Sequence, residues 1–242
     1  MAKSRLDQFI QIKYPQYSRT QLQSWIVQGK VLVNGVPVTK AGTLVPEDAV
    51  VELLAAPPKY VGRGGLKLER ALEAFKVDVH GLTALDSGLS TGGFTDCLLQ
   101  QGAARVYGID VGYGQVHEKL RQDSRLIIVE RTNFRTYEHV GDPIDLVTLD
   151  LSFISLLKIM ETVNSLLRPG GQLITLVKPQ FEAEKGQVPD GGVLKDAVLR
   201  EQIVQRVVAG IVENGYLLSG IIPSPITGAD GNVEYLAHFV RK

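Results

Sequence analysis

Cysteine is nearly absent from this chain, with Cys97 alone among 242 residues. No internal disulfide can form, which excludes a disulfide-stapled scaffold. Histidine is scarce as well. His80, His117, His139 and His238 are scattered without the spacing of metal ligands, so no zinc site is expected. Cys97 has no basic neighbour in sequence and reads as a small packed helix residue rather than a nucleophile. Long apolar runs are missing: none approaches the roughly 20 residues that span a bilayer. Positions 1–16 carry charges where a secretory signal would be apolar, so the expectation is a cytoplasmic protein with no membrane partner. Internal repeats and low-complexity stretches are also lacking. What remains is 44% hydrophobic and 21% charged residues with a mean hydropathy of +0.05. That is the composition of a folded globular protein of about one or two domains.

Net charge is zero, but it is unevenly distributed. Residues 1–76 hold 11 Lys and Arg against 6 Asp and Glu, and residues 77–242 hold 15 against 20. A basic amino-terminal module beside an acidic remainder suits nucleic-acid capture next to a separate site.

Periodicity divides the chain at the same place. Leu6, Phe9 and Ile10 recur at helical spacing over positions 3–14, and Ser18 can cap a second helix, 19–28, that buries Leu22, Trp25 and Ile26 and stops at Gly29. At that spacing Trp25 is core, not a base-stacking platform. Asn34-Gly35 between β-branched residues predicts a hairpin, and a strand over 49–54 closes a unit of about 55 residues, close to the lower limit for independent folding. Pro57 and Pro58 then interrupt both helix and strand. Beyond them, strands (83–86, 105–110, 126–129, 145–149, 172–177) alternate with helices (66–75, 93–101, 115–120, 154–167, 196–213). Two late strands, 217–222 and 234–240, follow. The alternation predicts a doubly wound parallel sheet with one antiparallel strand.

Leu85-Asp86-Ser87-Gly88-Leu89-Ser90-Thr91-Gly92-Gly93-Phe94 follows the first of these strands and opens a helix. Small residues at 88, 90, 92 and 93 let a ligand approach the backbone, and the helix amino end offers free N–H groups. Asp110, closing the next strand, has the spacing at which a carboxylate accepts from ribose hydroxyls. Asp86 ends the first strand itself, where it would repel a pyrophosphate but suit ammonium and sulfonium charges. The expectation is S-adenosylmethionine rather than NAD.

Asp150 and Lys178 end successive strands, and parallel strands deliver their carboxyl ends to the ligand crevice. A lysine closing an apolar strand needs a carboxylate nearby, and Asp150 meets that need. Lys67 and Glu234 cannot be placed by spacing alone.

These residues carry a resemblance. Arg5-Leu6-Asp7, Ser18-Arg19 and Gly29-Lys30-Val31-Leu32-Val33-Asn34-Gly35 are similar to an S4-type RNA-binding domain. The whole chain resembles the TlyA family, haemolysin-named proteins that join this domain to an FtsJ-like ribose 2'-O-methyltransferase. The matching stretches are Tyr60-Val61-Gly62-Arg63-Gly64-Gly65-Leu66-Lys67-Leu68, Ser90 to Asp96, Asp110-Val111-Gly112-Tyr113-Gly114-Gln115, Glu130-Arg131-Thr132-Asn133, Asp150 to Ser155 and Lys178-Pro179-Gln180-Phe181-Glu182. Ser87 and Leu89 depart from it, standing where the family more often has a β-branched residue and alanine.

The resemblance implies an α/β fold: a Rossmann-like methyltransferase sheet (63–242) joined by a linker (56–62) to a small α+β S4-type domain (1–55). It implies methyl transfer from S-adenosylmethionine to a cytidine 2'-hydroxyl of ribosomal RNA, free or in ribosomal subunits. The family's Lys-Asp-Lys-Glu tetrad falls on Lys67, Asp150, Lys178 and Glu234. Cofactor contacts are expected from Asp86, Gly88, Ser90, Thr91, Gly92, Asp110 and Asn133, and phosphate contacts from Arg5, Lys13, Arg19, Lys30, Lys40 and Arg63. Three competing readings are a membrane-lytic protein, a non-catalytic RNA-binding module and a nicotinamide-dependent enzyme. A pseudouridine synthase, which can also carry an S4-type domain, would not need the glycine turn and its following acid.

Overall fold

The computed structural model describes residues 3–54, 58–228 and 230–242; positions 56 and 57 of the expected linker lie outside them. The chain divides into two compact units, Met1–Pro58 and Lys59–Lys242.

In the first unit, β1 (Lys3–Arg5) and α1 (Leu6–Lys13) precede α2 (Arg19–Val27), β2 (Val31–Val33), β3 (Val36–Pro37), β4 (Leu44–Pro46) and β5 (Val51–Leu53). Leu6 and Ile10 of α1 meet Leu22, Trp25 and Ile26 of α2 over Val31, Val45 and Val51, all buried. Each such side chain removed from water contributes about 1.5–3 kcal/mol. Trp25 is core, edge-on to Tyr17 with ring centroids 4.8 Å apart. Ser18 caps α2 by accepting from the Gln21 N–H. Asn34 and Gly35, with φ of 50° and 79°, form the two-residue turn between β2 and β3. The first helix starts three residues later than its spacing suggests. Lys3–Arg5 carries nothing apolar to bury on a helix face and instead pairs antiparallel with β4.

The second unit runs α3 (Gly64–Phe75), β6 (Thr83–Ser87), α4 (Gly93–Gln100), β7 (Arg105–Ile109), α5 (Glu118–Arg121), β8 (Leu126–Val129) and β9 (Ile144–Leu149). It continues with α6 (Met160–Leu166), β10 (Leu167–Val177), α7 (Pro179–Glu182), α8 (Ala197–Glu213), β11 (Tyr216–Pro223) and β12 (Tyr235–Arg241). One seven-stranded sheet has the order β11-β12-β10-β9-β6-β7-β8. β12 alone runs against its neighbours, as the late strand pair suggested. Consecutive strand residues face opposite cores. Ala84 and Leu146 pack with α3 and α4, whereas Leu85 and Val147 pack with α6 and α8, so both faces are covered. The chain winds outward from β6 to β8 and returns to β9. The order therefore reverses between β6 and β9, where the crevice of an open sheet lies.

Two expected helices are shorter than their patterns. Over 115–120 only Glu118–Arg121 is helical, because the chain before it stays irregular beside the crevice, and His117 caps the turn by accepting from the Lys119 N–H. Over 154–167 a 3-10 turn, Leu156–Ile159, precedes α6. The preceding loop is bent by Phe153, which sits at φ +64°.

Candidate active site

A cavity of about 500 Å³ opens at the carboxyl ends of β6, β7 and β9, lined by Ser87, Gly88, Ser90, Asp110, Asn133, Asp150 and Ser152 among others. The turn after β6 is held from below, as the N–H groups of Gly88 and Leu89 both donate to the Ile109 carbonyl. Gly88 has φ +90°, and a Cβ there would stand 2.4 Å from the Asp150 carbonyl oxygen. Only glycine lets the β6 turn and the end of β9 approach this closely. The Asp110 carboxylate accepts from the Ser90 and Gly112 N–H groups, each at 2.7 Å, which fixes two loops of the rim. Asn133 accepts from the Arg135 N–H through its side-chain oxygen, leaving its amide NH₂ for the cavity.

Three expected cofactor residues sit elsewhere. Thr91 lines a smaller recess of about 90 Å³, shared with Gly64, Gly88, Ser90 and Asp150. Gly92 lines neither space. Its missing Cβ makes room for Leu120, whose Cδ1 would lie 2.2 Å away. Asp86 is fully buried and faces away from the cavity, with Thr95 and Thr148 hydroxyls donating to it at 2.7 and 2.8 Å. Side chains alternate along a strand, so when Ser87 looks into the crevice Asp86 looks under α4. It cannot select a sulfonium over a pyrophosphate by direct contact. Burial pushes its pKa up to about 6, with the two threonine hydroxyls opposing and the Asp150 charge adding to the rise.

Gly93 also has a packing task. A Cβ there would meet Gly65 N, Gly62 O and Gly64 N at 3.0–3.2 Å. The amino ends of α3 and α4 thus touch backbone to backbone, and that contact brings Lys67, one turn into α3, to the site. Leu89, unusual for its position, is accommodated in the same way. It lies over Gly108 of β7, where a Cβ would come within 2.7 Å.

The four charged residues form two pairs. Lys178 Nζ lies 2.7 Å from Asp150 Oδ1, and Lys67 Nζ donates to Glu234 Oε2 at 2.5 Å. Lys67, Lys178 and Glu234 are all buried. β10 and β12 pair as far as Val177↔Tyr235, so one step further Lys178 and Glu234 are neighbours across the sheet, and both pairs stand at one end of it. Three supports lie within stretches quoted from the sequence but are given no role there. Ser152 accepts from Lys178 Nζ at 3.1 Å. Ser87 is fully buried and its hydroxyl has no partner. Glu182 Oε1 accepts from the Leu156 N–H at 2.8 Å, tying α7, which follows Lys178, to the loop after Asp150. Cys97 is buried among apolar side chains, and burial pushes its thiol up to about 12, which agrees with a packing role.

The expected phosphate contacts divide as well. Asp7, fully buried, accepts from Arg5 Nε at 3.0 Å, Arg19 Nη2 at 2.9 Å and Gln23 at 3.0 Å. The Arg5 guanidinium, ahead of Arg19 and Gln23, holds that carboxyl far below the usual range. Arg5 and Arg19 are therefore partly committed to the fold, and Lys13 donates to the Val51 carbonyl at 2.5 Å. Arg63 donates to the Thr227 carbonyl. Lys30 and Lys40 are exposed, with no side-chain partner among the described residues.

The cavity residues fit an adenosyl cofactor. Ser87 presents an unsatisfied buried hydroxyl, Gly88 leaves the backbone open, and Asp110 retains lone pairs for ribose hydroxyls after its two backbone bonds. Ile109, Val111, Phe134, Leu151 and Ile159 offer apolar walls for a base.

Comparison with known proteins agrees. Residues 60–241 match the FtsJ-like methyltransferase family and residues 4–51 the S4 domain. Hemolysin A of Brachyspira hyodysenteriae is 41% identical over 239 residues, covering 98% of this chain and 99% of the relative. The 16S/23S rRNA (cytidine-2'-O)-methyltransferase TlyA of Mycobacterium tuberculosis is 44% identical over 221 residues, covering 90% and 82%. Among solved structures, a hemolysin-designated protein of Streptococcus thermophilus superposes with a TM-score of 0.78 at 38% identity, over 100% of this chain and 90% of that one.

Proposed function

Because the chain belongs to the TlyA family, with an S4 domain ahead of an FtsJ-like methyltransferase, we propose that it methylates the 2'-hydroxyl of a cytidine in ribosomal RNA, using S-adenosylmethionine. The observation that carries this reading is the ion pair of Lys178 and Asp150 on the rim of a cavity fitted to an adenosyl group. We take 1–55 as the RNA-binding domain, 56–62 as the linker and 63–242 as the transferase.

The cofactor supplies an electrophilic methyl on a sulfonium sulfur. A ribose hydroxyl is a poor nucleophile, so the protein must stabilise negative charge on its oxygen and hold that oxygen in line with the methyl–sulfur bond. Lys178 is the group for the first task. Paired with Asp150 at 2.7 Å, its ammonium form stabilises the forming alkoxide while the Asp150 carboxylate takes the hydroxyl proton. Lys67, held by Glu234, offers a second cation to the ribose. Ser87, Gly88, Asp110 and Asn133 bind the cofactor. Lys30 and Lys40, with the free surface of Arg5, Arg19 and Arg63, supply phosphate contacts, which fix position without reading sequence.

The test is to incubate purified protein with methyl-labelled S-adenosylmethionine and ribosomal subunits, and to map 2'-O-methyl marks on the RNA. Labelled 2'-O-methylcytidine is expected with the parent. Lys178→Ala should give none while binding S-adenosylmethionine about as tightly by calorimetry. A variant as active as the parent would eliminate this mechanism. Relatives named haemolysin invite a lytic reading, but no helix among the described residues is long and apolar enough to cross a membrane.

A further inference from the structure

We propose that Ser152 is a positioning residue that aims the Lys178 ammonium at the substrate oxygen; this rests on the proposed methyl transfer. An ammonium has three N–H donors and rotates freely on its stem. A single ion pair would leave Nζ free to swing about the carboxylate. Here Ser152 Oγ accepts from Nζ at 3.1 Å while Asp150 Oδ1 stands 2.7 Å away. These are its only polar side-chain partners among the described residues. Only the Ser152 contact is a hydrogen bond, so the serine fixes one N–H direction while the carboxylate's charge draws Nζ to one side of it. Asp150 and Ser152 both line the cofactor cavity, whereas Lys178 does not. The serine therefore stands at the boundary that the reacting atoms must share.

The backbone is bent to put Ser152 there. Phe153, the next residue, has φ +64°, a left-handed conformation that is strained for a bulky side chain. Phe153 is 89% exposed, so packing in a core does not account for the strain. The loop is instead restrained from both sides. The Phe153 and Phe181 rings lie 4.8 Å apart, and Glu182 accepts from the Leu156 N–H. Both restraints come from α7, the helix that follows Lys178. The same helix thus fixes the lysine and the loop that presents its second acceptor.

Ser152 is exposed, so removing its hydroxyl leaves no cavity and little stability is at stake. Its loss should appear in turnover. Hydrogen bonds to charged groups are worth enough that Ser152→Ala is expected to lower kcat roughly tenfold to a hundredfold. Calorimetric affinity for S-adenosylmethionine should stay within about twofold of the parent. Ser152→Thr, which keeps the hydroxyl, should restore kcat to within about threefold. A Ser152→Ala protein that turns over like an active parent overturns the proposal and leaves the proposed reaction standing. Weakened cofactor binding that accounts for the whole loss also overturns it, since Ser152 would then be a cofactor contact. So does a folded Ser152→Thr protein as slow as Ser152→Ala. An inactive parent on every ribosomal substrate would refute the proposed reaction, and this role with it.

Discussion

Asp86 keeps a carboxylate with no exposed surface between two threonine hydroxyls, and burial lifts its pKa from an ordinary 3.8 to about 6. A folded-state pKa above the unfolded one means that the folded state binds the proton more tightly. The contribution to stability is therefore most favourable below about pH 4 and falls as pH rises through 6. The shift corresponds to a cost on the order of 3 kcal/mol once the group is charged. Asp86→Asn should cancel that dependence. Urea unfolding measured between pH 4 and 7 is expected to show the parent losing stability relative to the variant as pH rises, and two parallel curves would refute the assignment. This residue also shows what kind of site information a sequence carries. Asp150 and Lys178 were legible because both close apolar strands that end in the crevice. Asp86 closes a strand too, but one step along a strand reverses the side chain's direction, and Ser87 took the inward place. Lys67 and Glu234 meet across 167 positions, a contact that no local pattern encodes, so only the family resemblance pointed to them.

Glycines at the starts of α3 and α4 decide where Lys67 stands. The sequence suggests that 92 and 93 are small for a ligand's sake, whereas in the structure the neighbour of Gly93 is another helix's backbone and that of Gly92 is the Leu120 side chain. Gly93→Ala would press a methyl against Gly62, Gly64 and Gly65, whose backbone atoms cannot rotate away. Overpacking of this kind typically costs about 1–3 kcal/mol. Separating the helices would also move Lys67 away from Glu234, so both the urea midpoint and methyl transfer should fall. Gly191 provides the contrast. Nothing lies within 4 Å of its would-be Cβ and its φ is not positive, so Gly191→Ala should be neutral or stabilising by about 0.4–1 kcal/mol. Equal effects at the two positions would show that helix contact is not what Gly93 serves. The elements themselves were readable wherever burial on both faces produced an apolar run, as in β6, β7, β9 and β10. Boundaries failed where the chain leaves its period to serve the cavity. Residues 115–117 and 154–155 have helical patterns, yet the first stretch stays irregular beside the crevice and the second belongs to the loop held by Glu182. β1 was missed because Lys3–Arg5 is a strand by virtue of its pairing with β4, some forty residues on, and not of its own composition.

At the scale of the molecule, the excess positive charge of residues 1–76 is legible as a nucleic-acid signal, but how much of it is available depends on contacts the sequence does not show. Arg5 and Arg19 share the Asp7 carboxylate, and Lys13 is bonded to a backbone carbonyl. A phosphate must compete with those partners, whereas Lys30 and Lys40 are exposed and have no such rival among the described residues. The two lysines should therefore give most cleanly the counterion-release signature of phosphate binding. Removing one cation from a phosphate lowers the slope of log affinity against log salt by about 0.7–0.9. Lys30→Gln with Lys40→Gln is thus expected to weaken binding of ribosomal RNA and to flatten that slope by about 1.4–1.8, if both bind phosphate. S-adenosylmethionine binding should be unchanged, because neither residue belongs to the cavity lining. Transfer at saturating RNA should be unchanged as well, since phosphate contacts position the substrate without entering the reaction. A titration series of filter-binding or fluorescence measurements across salt concentrations reads this directly. If the slope of the double variant equals that of the parent, these lysines touch no phosphate, and the contacts fall to the exposed faces of Arg5 and Arg19, which Asp7 holds in place. In that case Asp7→Asn, which frees both guanidiniums, would strengthen RNA binding at low salt instead of leaving it unchanged.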